Sequence, residues 1–400
     1  MDEIKTLLTR GVDKVYPTSE ELEKVLRSGK KLTLYQGFDP TGVQMHIGHM
    51  IGLRKLAQWQ KLGHKVIFLI GDGTGQAGDP SGKTRSRDKY LSNEELRQNA
   101  RDYVMQAGKI VDFTGENPVE IRYNGDWLNK MSLADVLDVA GHFTLQQMIE
   151  RDLYQDRLKN NEPLNLREFM YPLLQGYDSV AMEVDLEIGG SDQTFNMLAG
   201  RQLVRDYLNK DKFVMTTPLL TDSSGRKIGK TEGNVIALND NPSDLYAKIL
   251  SLGDDVIVKG MEYLTDISME VIERVAQAIE SGENPMKFKK QLAFEIVKDL
   301  NSEESAINAQ EEFERTVQNR ELPTEITEIK LQDDDDEFLN EDLLVELNLA
   351  SSKSEAKRLF EQGGVELDGV RITNPNENKV INNGAILKIG KRKIVKLLKP

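Results

Sequence analysis

Apolar positions in this chain follow two different spacings, and the changes between them mark out its elements. Residues 31–35 (KLTLY) and the run HKVIFLIGD from His64 read as strands, the second too continuously apolar to be half exposed. Between them, GHMIGLRKLAQWQKLG has helical spacing and stops at Gly63, a natural C-terminal cap. Strand, helix and strand of these lengths predict a βαβ unit and hence a parallel sheet. VDLEIGG (184–190) and FVMTTPLL (213–220) predict two more buried strands. Residues 3–30 read as helical, with Thr18 as an N-cap and Glu21 three positions on. From Leu91 to about Arg167 the pattern is mainly helical, broken by the strand-like VEIRYNGDWL. Residues 243 to about 320 turn strongly helical, and a Pro323-Thr324 break ends them. The remaining tail reads as a short helix, a basic helix and hairpin-like strands.

Length and charge divide this α/β pattern further. A chain of 400 residues suits two or three domains. The net charge of −14 argues at first against a nucleic-acid partner, but its distribution matters more. Residues 341–400 carry 11 Lys and Arg against 8 Asp and Glu, a +3 module on a body of −17. The run of acids at 333–337 beside the junction reads as a solvated linker. No cysteine is present, which excludes disulfides and thiolate metal sites. No apolar run approaches the roughly 18 residues of a membrane span, so no membrane partner is expected. The first residues lack the apolar core of a signal peptide, so a cytoplasmic location is expected.

The chemistry concentrates in YQGFDPTGVQMHIGHM, residues 35–50. It passes from a strand through a Gly/Pro/Thr turn into a helix. His46 and His49, two of four histidines, are three apart, a spacing that puts both rings on one helical face. Gly48 between them allows close approach of a ligand, and a helix N-terminus favours anions, so the stretch suits a polyphosphate. The Gly-rich loop at 71–87 could also meet phosphates, although its glycine spacing does not fit a Walker A loop. Tyr171, Gln175 and Asp178 share a helical face that is a poor core stripe and a good wall for a small polar ligand. Asp192 and Gln193 follow a strand, at the end where open α/β sheets bind ligands. Lys227 and Lys230 lie in a Gly/Ser-rich loop that could close over a polyphosphate, although a KxxK loop alone means little. Lys353, Lys357 and Arg358 gather along the basic helix of the tail, a patch suited to an RNA backbone.

Together these motifs resemble the bacterial tyrosyl-tRNA synthetase family of class I, over nearly the whole chain. The HIGH signature stands as His46-Ile47-Gly48-His49, and KMSKS in the relaxed form Lys227-Ile228-Gly229-Lys230-Thr231. The tail resembles an S4 RNA-binding domain. The resemblance implies a Rossmann-like catalytic domain at 1–225 with a mainly helical insertion at about 91–167. It implies a KMSKS-like loop and helical anticodon-binding domain at 226–325, an acidic linker at 326–339 and an S4-like α+β domain at 340–400. It implies that Tyr35 and Asp178 meet the phenol hydroxyl of tyrosine, and that Asp79, Tyr171 and Gln175 hold its ammonium, with Gln193 near its carbonyl. Gly37, Asp39 and Gly48 would lie along ATP or the adenylate, and Gly190 and Asp192 at the ribose. Thr41, His46 and His49 would hold the ATP phosphates, with Lys83, Arg87, Lys227, Lys230 and Thr231 on the leaving pyrophosphate; Arg85 competes with Arg87 for that role. Gly52 stands where some relatives carry a hydroxyl residue near the ribose. The implied activity is ligation of tyrosine to tRNA(Tyr) by a homodimer, with ATP as substrate accompanied by Mg²⁺, no tightly bound cofactor and no protein metal site. A tryptophan-specific relative and an RNA-binding protein derived from a lapsed synthetase are the alternatives.

Overall fold

The computed structural model describes residues 2–42, 44–79, 90–150, 152–228, 235–318, 326–331, 338–374, 379–390 and 393–399. The chain divides into two compact units, Met1–Gln310 and Glu311–Pro400.

Six strands of the first unit, β1 (Lys14–Tyr16), β2 (Thr33–Phe38), β3 (Lys65–Ile70), β4 (Glu120–Tyr123), β5 (Leu186–Gly190) and β6 (Phe213–Thr217), form a sheet in the order β1-β6-β5-β2-β3-β4. Neighbours run parallel except β1, which is antiparallel to β6. The continuous apolar run behind β3 is explained by its inner position, with Val66 to Ile70 all buried. The order reverses direction around β2 and β5, so the crevice at their carboxyl ends is the topological switch point.

The helices are α1 (Glu3–Thr9), α2 (Ser19–Arg27), α3 (Ile47–Lys61), α4 (Thr74–Ala77), α5 (Asn93–Ala107), α6 (Gly125–Leu128), α7 (Leu133–Gly141), α8 (Leu145–Ile149), α9 (Asp152–Lys159), α10 (Leu166–Ala181) and α11 (Thr194–Leu208). A helical run follows: α12 (Pro242–Leu250), α13 (Ile257–Leu264), α14 (Met269–Glu280), α15 (Pro285–Leu300) and α16 (Glu303–Phe313). Thr18 caps α2 as expected, accepting from the Glu21 amide at 3.2 Å. The all-helical reading of residues 3–30 fails between α1 and α2, where Lys14–Tyr16 is an edge strand. Gly11 at φ 62° ends the first helical stretch, Pro17 bars the next, and Val15 and Tyr16 suit the pleat against β6. No described helix is long and apolar enough to cross a membrane.

Three cations join the start of the chain, α3 and the later helices. Arg10 donates to the Met261, Glu262 and Thr265 carbonyls at the end of α13. Arg54 pairs with Asp299 at 2.6 Å and with Asp266. Lys55 is buried, with its ammonium on the Leu7 and Arg10 carbonyls and on Gln58 Oε1 at 2.7–2.9 Å. Burial, with Arg10 nearby, pulls its pKa down to about 7. Above that pH the folded chain releases a proton that the unfolded chain keeps up to about 10.4, so stability should rise with pH across that window. Urea melts from pH 7 to 10 are expected to show a rise of roughly 1 kcal/mol per pH unit that Lys55→Met loses; equal slopes in the two proteins would count against it.

In the second unit, β7 (Thr327–Lys330), β8 (Val365–Leu367), β9 (Val370–Ile372), β10 (Ala385–Ile389) and β11 (Lys393–Leu398) form a sheet in the order β7-β11-β10-β8-β9. β7 is parallel to β11 and the rest are antiparallel. Helices α17 (Glu341–Glu346) and α18 (Lys353–Glu361) share its core through Leu343, Leu344, Ala356 and Phe360. Lys357 and Arg358 lie exposed on α18, and Lys353 at its start pairs with Asp342 at 2.5 Å.

Candidate active site

The turn into α3 is built by its own histidines. The spacing of His46 and His49 predicts two residues on one helical face, but His46 is the N-cap, in extended conformation, and only His49 is inside the helix. His46 Nδ1 accepts the Gly48 amide at 3.1 Å, and His49 Nδ1 accepts the His46 amide at 3.0 Å. Each ring is thereby fixed in the Nε2–H form, a hydrogen-bond donor suited to phosphate oxygens. The rings lie 3.9 Å apart. Gly48 fits tightly here, because a Cβ would stand 3.0 Å from the His46 ring and press it out of place. The segment after the lysine loop pairs with the same turn: Ile47 N donates to Ile236 O at 2.9 Å and Leu238 N to Met45 O at 3.0 Å. Lys227 Nζ lies 2.7 Å from Asp192, just past the carboxyl end of β5. Lys83, Arg87, Lys230 and Thr231 lie outside the described residues.

The second wall is α10. It contains Pro172, which cannot donate to the Glu168 carbonyl four residues back. The buried Tyr154 hydroxyl donates to that carbonyl instead, at 3.1 Å. The Glu168 carboxylate, buried, is held by buried Arg157 at 2.6 Å. This brace anchors the start of the helix, whose spacing gives Tyr171, Gln175 and Asp178 the expected common face. Asp178, 1% exposed, accepts from Asn124 Nδ2 at 2.9 Å and from Trp127 Nε1 at 2.8 Å. Burial pushes its pKa well up, and these two hydrogen bonds pull against that shift. Asn124 also donates to Thr74 Oγ1, which donates to Asp39, and Tyr171 Oη donates to the other Asp39 oxygen at 2.9 Å. Asp39, Tyr171 and Asp178 are thus one connected network.

A second network runs along the opposite side. Gln193 Nε2 donates to Asp79 at 2.8 Å. Asn196 Nδ2 donates to Gln193 Oε1 and Gln175 Oε1, and Gln175 Nε2 donates to Glu187 at 3.0 Å. Tyr35, 1% exposed, packs with Ile67, Leu69 and Met182, and its hydroxyl is 2.9 Å from Ser179 Oγ. Gly37 is on β2, and Gly190 ends β5. Thr41 follows the β2 strand. The space beside Gly52 is taken by the Gln36 amide, 2.4 Å from where a Cβ would stand.

The structure therefore gathers Tyr35, Asp39, Asp79, Tyr171, Gln175, Asp178, Asp192 and Gln193 around the switch point. Sequence reasoning missed Asn124, Trp127, Asn196, Ser179, Glu187 and Lys212. For Glu187 a signal was present, since it is a charge inside a stretch, VDLEIGG, that reads as a buried strand. Among the described residues no cluster of three or more His, Asp or Glu side chains is arranged to hold a metal.

The family model described as tRNA synthetases class I (W and Y) matches residues 27–318. The chain belongs to this family. The S4 domain model matches residues 341–378 of this class I synthetase, within its second unit. The Tyrosine--tRNA ligase of Thermotoga maritima is 41% identical over 393 residues, covering 98% of this synthetase and 96% of that protein. Tyrosine--tRNA ligase 2 of Clostridium acetobutylicum is 36% identical, covering 100% and 99%. Among solved structures, a C-terminally truncated mitochondrial tyrosyl-tRNA synthetase of Coccidioides posadasii superposes with a TM-score of 0.61 at 25% identity, covering 77% of this chain and 91% of that one. The tyrosyl-tRNA synthetase of Archaeoglobus fulgidus shares the fold at a TM-score of 0.61 and 20% identity, covering 77% and 99%.

Proposed function

We infer that this synthetase is a tyrosine–tRNA ligase. The tyrosine carboxylate attacks the α-phosphorus of ATP, forming tyrosyl-adenylate as pyrophosphate leaves. A terminal ribose hydroxyl of tRNA(Tyr) then attacks the activated carbonyl, and AMP leaves. The observation that carries the amino-acid assignment is Asp178, a buried carboxylate on the Tyr171–Gln175–Asp178 face of a chain whose full-length relatives bear the tyrosine ligase name. Asp178 and Tyr35 take the phenol hydroxyl, and Tyr171, Gln175 and Asp79 take the ammonium, with Gln193 near the carbonyl. Asp39, Gly37, Gly190 and Asp192 line the adenylate. His46 and His49 donate Nε2–H to the phosphates beside Thr41, and Lys227 meets the pyrophosphate with Lys83, Arg87, Lys230 and Thr231. Such chemistry needs in-line placement and charge neutralisation, and no protein nucleophile. Mg²⁺ enters with ATP, held by its phosphates.

Lys353, Lys357 and Arg358 contact RNA backbone from the S4-like unit, and α12–α16 supply the anticodon-binding surface. The exposed Leu133, Leu137 and Leu145 on α7 and α8 favour a homodimer. The cytoplasm, the site of tRNA charging, is the location. ATP–pyrophosphate exchange with every amino acid tests the assignment. Exchange with tyrosine alone is expected; exchange driven by tryptophan, or none with any amino acid, would replace it with a tryptophan enzyme or a lapsed synthetase.

A further inference from the structure

Behind the pocket lies a charge pair that the ligation chemistry does not use. Lys212, immediately before β6, is wholly buried, and its ammonium is bonded to Glu187 on β5 and to Ser179 Oγ on α10 at 2.7 Å. Glu187 is 2% exposed and Ser179 is fully buried. Room for them comes from the close crossing of α10 and α11 at Gly200. A Cβ there would stand 2.7 Å from Lys212 Nζ and 2.9 Å from Ser179 Oγ. Three elements and a glycine are committed to enclosing one salt bridge. Buried charge is costly unless paired, so a pair kept here at a pocket wall invites a reason.

The proton order supplies one. An ammonium can only donate, so Ser179 Oγ receives a proton from Lys212 and has its own left to give. The acceptors within reach are Tyr35 Oη at 2.9 Å and Glu187 Oε2 at 3.4 Å, and the shorter contact is the better bond. With Ser179 donating to it, the Tyr35 oxygen has its own proton to give. The proton goes to the nearby Glu187 carboxylate before tyrosine binds, a neighbour that adds to burial in pushing the phenol pKa up, or to a substrate oxygen on its other side once tyrosine is bound. The far oxygen of Glu187 orders Gln175 in the same way. A carboxylate accepts only, so it draws the Gln175 NH₂ towards itself at 3.0 Å. That fixes the amide, and Gln175 Oε1, which also accepts from Asn196, is the end turned the other way. A phenol oxygen needs a donor and an ammonium needs an acceptor, and the pair sets one of each.

We propose that Lys212, Glu187 and Ser179 are positioning residues for tyrosine recognition, holding Tyr35 as a donor to the substrate phenol and Gln175 as an acceptor for the substrate ammonium. This rests on the placement of Tyr35 and Gln175 in the tyrosine pocket. Asp178 then accepts the phenol proton, so the substrate hydroxyl both receives and gives a hydrogen bond.

The test is ATP–pyrophosphate exchange on the full-length chain with tyrosine and phenylalanine, for Ser179→Ala, Tyr35→Phe, their combination and the paired change Lys212→Met/Glu187→Leu. Ser179→Ala should raise the KM for tyrosine about tenfold and lower the tyrosine-over-phenylalanine preference by a similar factor. Its kcat and its KM for ATP should stay within about twofold, a split that general loosening of the fold would not give. In the Tyr35→Phe background, Ser179→Ala should add nothing, because the relay has lost its recipient. The paired change removes both charges without orphaning either, and should raise the KM for tyrosine further because Gln175 also loses its partner. If a thermal melt shows that the paired variant does not fold, Ser179→Ala decides alone. An unchanged KM for tyrosine in Ser179→Ala, or an additive effect with Tyr35→Phe, overturns the relay while Tyr35→Phe still impairs tyrosine use. A Tyr35→Phe enzyme with parental tyrosine kinetics and preference instead overturns the pocket assignment itself.

Discussion

Asp178→Ala is expected to lower tyrosine-dependent ATP–pyrophosphate exchange by at least about a hundredfold, through the loss of a charge-assisted hydrogen bond and the stranding of its donors. The parent carboxylate is 1% exposed and accepts from both Asn124 and Trp127. Alanine leaves a buried Asn124 N–H and the half-buried Trp127 N–H without this acceptor, the first at about 1–3 kcal/mol, so some loss of stability should accompany the loss of activity. The two effects separate by substrate. Phenylalanine brings no hydroxyl, so its weak exchange should change only a few-fold, and a collapse of both substrates together would point to misfolding. Parental kcat and KM for tyrosine in the variant would remove Asp178 from the recognition of the phenol.

Arg157→Ala should be the most destabilising single change distant from the substrates. Both partners of the Arg157–Glu168 pair are nearly inaccessible, at 3% and 5% side-chain exposure. Removing the guanidinium strands a buried carboxylate, an effect of about 3–5 kcal/mol. The site is the first turn of α10, where Glu168 also closes the capping box with Asn165. Urea unfolding should register the loss, and Arg157→Met combined with Glu168→Leu should recover much of it. A single variant within about 1 kcal/mol of the parent would show that α10 is held by something else.

Sequence spacing revealed the parts of this site that share one element. Tyr171, Gln175 and Asp178 stand four and three apart on one helix, and their common face follows from helical geometry alone. The βαβ core was legible because inner parallel strands must be continuously apolar, as β3 is. Partners contributed by different elements were not legible. Asn124 and Trp127 reach Asp178 from beyond β4, and Lys212 reaches Glu187 from the residue before β6; no local period marks such meetings. The edge strand β1 was hidden for a similar reason. Its three residues carry no period of their own and are held by Thr216 and its neighbours about two hundred positions away. His46 illustrates a finer limit. Three-residue spacing located the pair correctly, but whether the first histidine lies inside the helix or caps it depends on a single backbone angle pair.

The two outer strands of the first sheet also bear on how copies of this chain can meet. β1 is three residues long and is followed at once by Pro17, while β4 is four residues long and carries the charged Glu120 and Arg122. Short, charged or proline-stopped margins give a foreign strand little backbone to pair with. These margins work against fusion of two such sheets into one continuous ribbon. Contact between copies through this unit is left to side chains on its helices, where register is set by shape and a misaligned encounter finds no ladder to extend.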